Sequence, residues 1–317
     1  MAPPSGPSPA RAKLNATDKR ANRALKWLAF AGGATVFLAM FFIGYQVILG
    51  ATLAIDKFGI GFVGHTGQWN PGLNEFGAWP LIYGTLVTSV FSLVLATILG
   101  VSIGLFLSLM APRLVSTIVG PLVEMLAAIP SVVLGLIGIQ VISPFVANDL
   151  EEPLHSALGF IPVFGTPQGI GNSLFTASLV LTIMVLPIIA ALTRDLFLTV
   201  PQELRDGAEA LGATRWEMIR GVVLPTTRNG VIAACVLGFG RAIGEAIAVS
   251  QVVGNQYQSP INWFKGGDTL ASRVALQFEG AVSALHTSVL FYLALILFVF
   301  GLIVNLLARQ ISRGAIR

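Results

Sequence analysis

The sequence predicts an all-α polytopic membrane protein with six transmembrane helices and both termini in the cytoplasm. Three observations lead to this prediction: the composition, a set of apolar runs, and the placement of the basic residues. Of the 317 residues, 55% are hydrophobic and 11% are charged, and the mean hydropathy is +0.80. Because a soluble chain of this length needs more charge to cover its surface, the composition excludes an ordinary soluble domain.

Each apolar run meets the length of about 20 residues that a helix needs to cross a bilayer. The first run is too long for the apolar region of a signal peptide, so we interpret it as an uncleaved span. The Pro- and Ser-rich start of the chain predicts a disordered cytoplasmic tail over residues 1–25, followed by a transmembrane domain over residues 26–317. The predicted spans are residues 27–49, 81–111, 115–144, 171–193, 231–253 and 287–308.

Most of the 19 basic residues lie in four segments that six spans would bring to one side of the membrane. These segments are the N-terminal tail, the loop after the second span, the loop after the fourth span and the C-terminus. An excess of Lys and Arg marks the cytoplasmic side of a membrane. The same clustering explains the isoelectric point of about 9.5 without a nucleic-acid partner.

We expect neither a metal centre nor an intrachain disulfide. The single cysteine, Cys235, lies in an apolar run, and the histidines His65, His155 and His286 are far apart in the sequence. No Gly is followed by Lys anywhere in the chain, so the phosphate-binding loop of P-loop ATPases is absent. Transport driven by ATP would therefore need another polypeptide.

The loop after the fourth span, residues 194–230, is charged although it lies between two apolar spans. Within it, residues 201–225 read PQELRDGAEALGATRWEMIRGVVLP. A helix over residues 201–211 would place Leu204, Ala208 and Leu211 on one face. The acidic residues Glu203 and Asp206 do not suit an anionic lipid surface. We therefore expect this helix to insert into a groove on a soluble partner.

Capping signals delimit two short helices in this loop. Thr199 with Gln202 and Thr214 with Glu217 both match the capping box. Gly212 stands where the first helix should end in a left-handed cap. Elsewhere, pairs of glycines spaced for close helix contact occur at 100 and 104 and at 240 and 244.

Three ionisable residues fall inside predicted spans: Glu124, Arg241 and Glu245. Such residues are costly in a bilayer and usually face a cavity or a partner. Arg241 and Glu245 are one helical turn apart, so on one helix they would share a face and could pair. The pair is either a neutralised packing contact or an anion checkpoint, because the Arg guanidinium matches the oxygens of phosphate.

The charged loop resembles the EAA loop of ATP-binding-cassette (ABC) importer permeases, whose pattern is E-A-A, three residues, G, nine residues, I-x-L-P. Here Asp206 and Gly207 stand for the Glu and the first Ala, Val222 stands for the Ile, and Gly212 and the Leu-Pro are intact. The strings GRAIGE at 240–245, followed by GN at 254–255, and EMLAAIPSVVLG at 124–135 resemble the PstC-type permeases of phosphate-specific importers. The resemblance runs from about residue 25 to the end.

The resemblance implies a type I ABC importer permease fold and a phosphate pathway that includes Arg241, Glu245 and Glu124. It also implies that the EAA loop docks on a separate ATPase. The coupling residues it implies are Glu203, Leu204, Asp206, Gly207, Ala208, Leu211, Gly212, Leu224 and Pro225.

The implied partners are a PstA-type permease, a PstB-type ATPase dimer, a PstS-type phosphate-binding protein and the lipid bilayer. No cofactor is expected in this chain, and ATP and Mg would be bound by the partner ATPase. The implied location is the cytoplasmic (inner) membrane of a bacterium.

Three other functions stay open at this point. The chain could be a permease for another oxyanion, such as molybdate or sulfate, or a secondary transporter driven by an ion gradient. A membrane scaffold or sensor is the third, although buried charges one turn apart are hard to justify there. The tryptophans Trp69, Trp79 and Trp263 of the opposite loops are either interfacial belt residues or anchors for a solute-binding protein.

Overall fold

The computed structural model describes residues 16–169 and 171–314. Apart from one isolated antiparallel bridge between Asn70 and Glu75, the regular structure of these residues is helical. The α-helices in chain order are α1 (Ala16–Phe58), α2 (Gly61–Gly64), α3 (Trp79–Leu105), α4 (Arg113–Leu126), α5 (Ser131–Ile137), α6 (Ser143–Phe145), α7 (Glu151–Leu158), α8 (Leu174–Leu198), α9 (Gln202–Ala210), α10 (Arg215–Met218), α11 (Leu224–Gly244), α12 (Ile247–Val252), α13 (Leu270–Gln277) and α14 (Ala284–Gly314).

The prediction of six membrane-crossing helices is confirmed. Six helical stretches of the described residues are long and apolar enough to span a bilayer. Short π-helical segments occur in three of them, for example Phe106–Met110, which ends the second span after α3. The candidate spans are Ala21–Phe58, Trp79–Met110, Ser131–Leu158, Leu174–Leu198, Arg215–Gly244 and Ala284–Leu307.

The residues up to Leu49 form one unit, and the residues from Gly50 onward form another. In the first unit α1 begins at Ala16, so the helix starts inside the segment that the sequence predicted as a disordered tail ending at residue 25. Good helix formers, Ala, Lys and Arg, recur in this stretch and extend the helix ahead of the apolar span. The rest of the predicted tail, residues 1–15, lies outside the described residues.

The second unit is built around α8, which packs on α3, α11, α4 and α12. Small residues allow the closest of these contacts. A Cβ atom on Gly100 of α3 would lie 3.0 Å from Cγ2 of Ile189 on α8, so the two backbones approach as the spacing of Gly100 and Gly104 predicted. The second glycine pair differs: Gly240 and Gly244 face open space.

The predicted boundaries of the third span, residues 115–144, were wrong. The helix α4 ends at Leu126, and the chain turns before α5 begins after Pro130. The candidate span runs from Ser131 to Leu158 instead. Proline disfavours helical geometry in the residue before it and cannot donate a backbone hydrogen bond. The apolar composition continues across the turn, so hydropathy alone did not reveal the break.

A buried ion pair lies at the end of the bundle opposite the charged loop. Arg273 Nε on α13 is 2.6 Å from Asp268 Oδ2, and both side chains are buried. The Arg273 guanidinium also lies 5.2 Å from the ring centroid of Trp69, whose Nε1 donates to Gln277 Oε1. Burial raises the pKa of Asp268, although Arg273 acts in the opposite direction. This cluster ties the residues before α3 to α13.

Candidate functional site

The helix that the sequence predicted as continuous over residues 231–253, the predicted fifth span, is interrupted in the structure. The helix α11 ends at Gly244, Glu245 has extended backbone angles (φ −74°, ψ 119°), and α12 begins at Ile247. The break leaves an open face, because a Cβ atom on Gly240 or Gly244 would meet no other atom within 4 Å. Interrupted membrane helices are typical of substrate sites, where unpaired backbone and helix ends face a cavity.

Arg241 and Glu245 form a loose ion pair across this break. Nη2 of Arg241 lies 3.8 Å from Oε2 of Glu245, which is beyond hydrogen-bond distance. The Arg241 side chain is 40% exposed, whereas that of Glu245 is only 9% exposed. Oε1 of Glu245 accepts a hydrogen bond of 3.3 Å from the backbone N–H of Ala248, so this carboxylate also satisfies a donor in the first turn of α12. The guanidinium of Arg241 therefore keeps its donors free among the described residues.

The pair keeps the i, i+4 position that one shared helix face predicts, although the helix ends there. Glu245 is the C-cap of the helix that carries Arg241: its φ of −74° is still helical and only its ψ of 119° departs, so its side chain meets Arg241. The i, i+4 spacing correctly predicted the contact. It could not predict the break, since the helical rule assumes that the helix continues.

Arg241 lies near the middle of the bundle. The helix α11 runs antiparallel to α8, because Gly230 faces Leu196 whereas Gly238 faces Val185 and Ile189. Arg241 is about one turn beyond Gly238, which brings it level with the centre of α8. An exposed cation at this depth is costly in lipid and indicates a polar pathway or a partner.

Glu124 does not pair with Arg241 or Glu245. It lies on α4, outside the candidate third span, and its side chain is 52% exposed. Its Oε1 accepts a 2.9 Å hydrogen bond from Nη1 of Arg194, near the end of α8. The expectation that Glu124 falls within a span was wrong, because the turn before Pro130 separates α4 from that span.

The charged loop contains the predicted pair of short helices, α9 and α10. Gly212 has φ +84°, and the chain beyond α9 makes the two hydrogen bonds of a Schellman motif, from Gly212 N to Glu209 O (2.9 Å) and from Ala213 N to Ala208 O (3.1 Å). The capping box of Thr214 and Glu217 is present at the start of α10. The one predicted for Thr199 is absent, because Pro201 precedes α9 and no side chain caps it.

The apolar residues of α9 do not share one role. Ala208 packs inward, whereas Leu204 is 50% exposed and Leu211 is 91% exposed. The remaining predicted coupling residues divide in the same way: Leu224 packs on the core beneath α9, whereas Glu203, Asp206, Gly207, Gly212 and Pro225 are exposed. That core consists of Phe197, Val200, Met218, Ile219 and Val223. The loop thus has an anchored underside and an outer side on which Leu204 and Leu211 are exposed among charged residues.

The sequence did not single out two residues that the structure brings to notice. Trp216 on α10 is 63% exposed and adds to the exposed apolar side chains of the loop; a lone Trp in a charged loop was a usable signal. Arg194 forms an ion pair with Glu124, and no local sequence pattern predicts this contact between distant residues.

The tryptophans of the opposite loops are mostly occupied within the protein. Nε1 of Trp69 donates to Gln277, and Nε1 of Trp263 donates to the hydroxyl of Tyr83 at 3.3 Å. Both indole rings pack against buried core residues. Trp79, the first residue of α3, is 40% exposed and is the remaining candidate anchor among the three.

The described residues form six apolar spans and a charged loop that is anchored on the bundle. A helix break also leaves the guanidinium of Arg241 exposed. These features define a membrane permease. The chain matches the family described as binding-protein-dependent transport system inner membrane component over residues 96–317. It is similar in fold to a subunit of a bacterial alginate ABC transporter solved with an alginate-bound periplasmic protein (TM-score 0.62, 16% identity, 92% of this chain and 96% of that one). A chain of the MetNI methionine ABC transporter in an inward-facing conformation is a second structural neighbour (TM-score 0.54, 18% identity, 74% and 94% coverage).

Sequence relatives narrow the class further. The phosphate transport system permease protein PstC of Pasteurella multocida is 40% identical to this chain over 86% of both. PstC of Xylella fastidiosa is 37% identical over 92% of this chain and 90% of its own, and PstC 1 of Mycobacterium tuberculosis is 35% identical over 94% and 95%. The chain belongs to the PstC family of binding-protein-dependent permeases.

Proposed function

We propose that this chain is the permease subunit of an ATP-driven inorganic phosphate importer and forms half of its translocation pathway. Its PstC relatives are permeases of phosphate transport systems, which supports phosphate as the substrate. The observation that carries the proposal is the break in the predicted fifth span, which leaves the guanidinium of Arg241 exposed at mid-depth with a carboxylate 3.8 Å away.

The geometry suits reversible binding of an anion. The planar guanidinium offers several donors to phosphate oxygens, and Arg241 has no hydrogen-bonding acceptor among the described residues. Glu245 lowers the affinity by competing for the same cation, and its own position is fixed by its bond to Ala248. Conduction needs binding that is strong enough to admit the ion and weak enough to release it.

The charged loop would couple this site to a separate ATPase. Ala208 seats α9 on a core that includes Phe197 of α8, so a push on α9 would reach the bundle directly. The exposed apolar side chains of Leu204, Leu211 and Trp216 are suited to a groove on that partner.

The assembly we propose comprises this chain, a PstA-type permease, a PstB-type ATPase dimer that binds ATP and Mg, and a PstS-type phosphate-binding protein. In this arrangement the charged loop and both termini face the cytoplasm, and the chain resides in the bacterial inner membrane. The clustering of basic residues supports this orientation.

Reconstitution of the complete transporter in proteoliposomes tests the proposal. Uptake of labelled phosphate should require this subunit, the binding protein and ATP, and should persist after ion gradients are collapsed. Preferred uptake of molybdate or sulfate, or uptake that needs an ion gradient and no ATP, would overturn it.

A further inference from the structure

We propose that Arg194 is a second anion-binding residue of the pathway, on the charged-loop side of Arg241, and that Glu124 competes with the anion for its guanidinium. The ligand class is an inorganic oxyanion, with phosphate as the case tested. The inference rests on the proposed function, since it identifies a further position at which the transported ion is held.

The contact between Arg194 and Glu124 uses only part of the guanidinium. Nη1 donates to Oε1 of Glu124 at 2.9 Å, and the guanidinium makes no other hydrogen bond to a described residue. Nε is buried, so the donors that an anion could reach are those of Nη1 and Nη2. Arginine presents five N–H donors and commonly binds a carboxylate through two parallel bonds. A single bond leaves donors that an oxyanion with several acceptor oxygens could use.

The backbone of α4 is shaped around this guanidinium. A Cβ atom on Gly120 would lie 2.7 Å from Cζ of Arg194, so a side chain at that position would displace the Arg. Glu124 follows Gly120 by one helical turn on the same face of α4. The missing side chain of Gly120 leaves space for the planar guanidinium of Arg194, and the Glu124 carboxylate contacts only one side of that group.

The pair borders an open strip on α8. Arg194 points toward α4, and Leu196 points toward Gly230 of α11. At about 100° per residue, Asp195 falls between these two directions, and its side chain is exposed. The exposed carboxylates of Asp195 and Glu124 thus flank the guanidinium of Arg194, whose side chain is 18% exposed. Asp195 adds a carboxylate that would limit how long an anion stays.

The two Arg–Glu pairs lie at different depths of the same bundle. Gly238 of α11 is level with the stretch of α8 between Val185 and Ile189. Counting along both helices, Arg241 and Arg194 are roughly 15 Å apart along the bundle axis. Each Arg is held loosely by one Glu, at 3.8 Å in one pair and by a single 2.9 Å bond in the other. This arrangement suits transfer of an anion from mid-depth to the charged-loop end.

If the ion pair served only to hold α4 against α8, a different experimental result would be expected. Such a pair would affect assembly and stability but would not respond to anions on the side of the charged loop. An exit site must respond, because product phosphate would occupy it and slow uptake. Trans-inhibition therefore separates the two roles.

The test uses the complete transporter in proteoliposomes with ATP inside, so that only complexes with an enclosed ATPase are active. Uptake is measured at increasing lumenal phosphate for the parent and for Glu124→Gln, Arg194→Gln and Arg194→Lys. We expect Glu124→Gln to lower the half-inhibitory lumenal phosphate about tenfold, the effect of one charge-assisted hydrogen bond. Arg194→Gln should raise it by a similar factor, and Arg194→Lys should lie between.

The matched control is Arg113→Gln, which removes an exposed cation from the same helix α4 and should leave the inhibition unchanged. If the Arg194→Gln complex does not assemble, the change in half-inhibitory lumenal phosphate caused by Glu124→Gln still tests the exit site. A parent that takes up no phosphate refutes the proposed function. A parent that takes up phosphate without lumenal inhibition, or with inhibition that Glu124→Gln leaves unchanged, refutes the exit site alone.

Discussion

The carboxylate of Glu245 lies 3.8 Å from the guanidinium of Arg241, although the helix that carries Arg241 ends one residue before Glu245. Glu245 is therefore the C-cap of α11, and its carboxylate also accepts a hydrogen bond from the backbone N–H of Ala248 in α12. The carboxylate thus joins the helices on either side of the break and is held beside the guanidinium of Arg241.

Arg241→Gln should abolish phosphate uptake while the complex still assembles and still hydrolyses ATP. The substitution removes the exposed cation beside the break and keeps a polar side chain of similar reach. Arg241→Lys should retain partial uptake, because an ammonium lacks the planar fork of donors. Uptake by proteoliposomes with matched protein content is the measurement.

A double variant separates this role from packing. Buried ion pairs can often be replaced by apolar residues without loss of stability. Near-parental uptake by Arg241→Leu/Glu245→Leu would show that the pair serves packing only.

Leu204→Asp should release the ATPase or uncouple hydrolysis from uptake, because it replaces an exposed apolar side chain of α9 by a charge. Leu211→Asp should act in the same direction. Retention of the ATPase on the affinity-purified permease is the measurement. Val282→Asp is the control, since Val282 is equally apolar and 96% exposed at the other end of the bundle. Full retention in both α9 variants would remove these leucines from the interface.

Arg273→Met should destabilise the protein by about 3–5 kcal/mol, the usual effect of leaving one buried charge without its partner. Asp268 would then be buried without the cation 2.6 Å away that favours its ionised form. Thermal unfolding in detergent measures the loss. Arg273→Met/Asp268→Leu should recover much of the stability, and a double variant as unstable as the single one would contradict this account.

Tyr257→Phe should stabilise the protein by about 1 kcal/mol, because the buried hydroxyl has no hydrogen-bond partner among the described residues. Burial raises the pKa of Tyr257 to about 12. In the unfolded chain the phenol ionises near 10, so between these values the unfolded state releases a proton that the folded state retains. The free energy of unfolding of the parent therefore falls as pH rises through this range.

The variant lacks this ionisation, so its advantage should grow between about pH 8 and about pH 11. Melting temperatures of parent and variant at both values give the comparison. An advantage that shrinks at alkaline pH would contradict the assignment.

Some of the architecture followed from sequence because it depends on local chemistry. Apolar run length predicted six spans, and the structure has six candidates. The left-handed Gly212 and the cap of Thr214 were also predicted, because each is decided within a few residues. The breaks in the helices were not predicted from the sequence. Both the turn after α4 and the extended residue Glu245 lie inside continuous apolar stretches, where hydropathy carries no signal for backbone direction.

The class of protein, the residues of the charged loop and the i, i+4 contact between Arg241 and Glu245 could all be predicted from the sequence. Helix packing brings Glu124 to Arg194 rather than to Arg241, and turns Ala208 inward while Leu204 and Leu211 stay exposed. Composition and spacing act over one or two helical turns. Which faces of α4, α8 and α11 meet depends on packing between helices that are distant in the chain, where close contacts at residues such as Gly120 and Gly238 choose the neighbours.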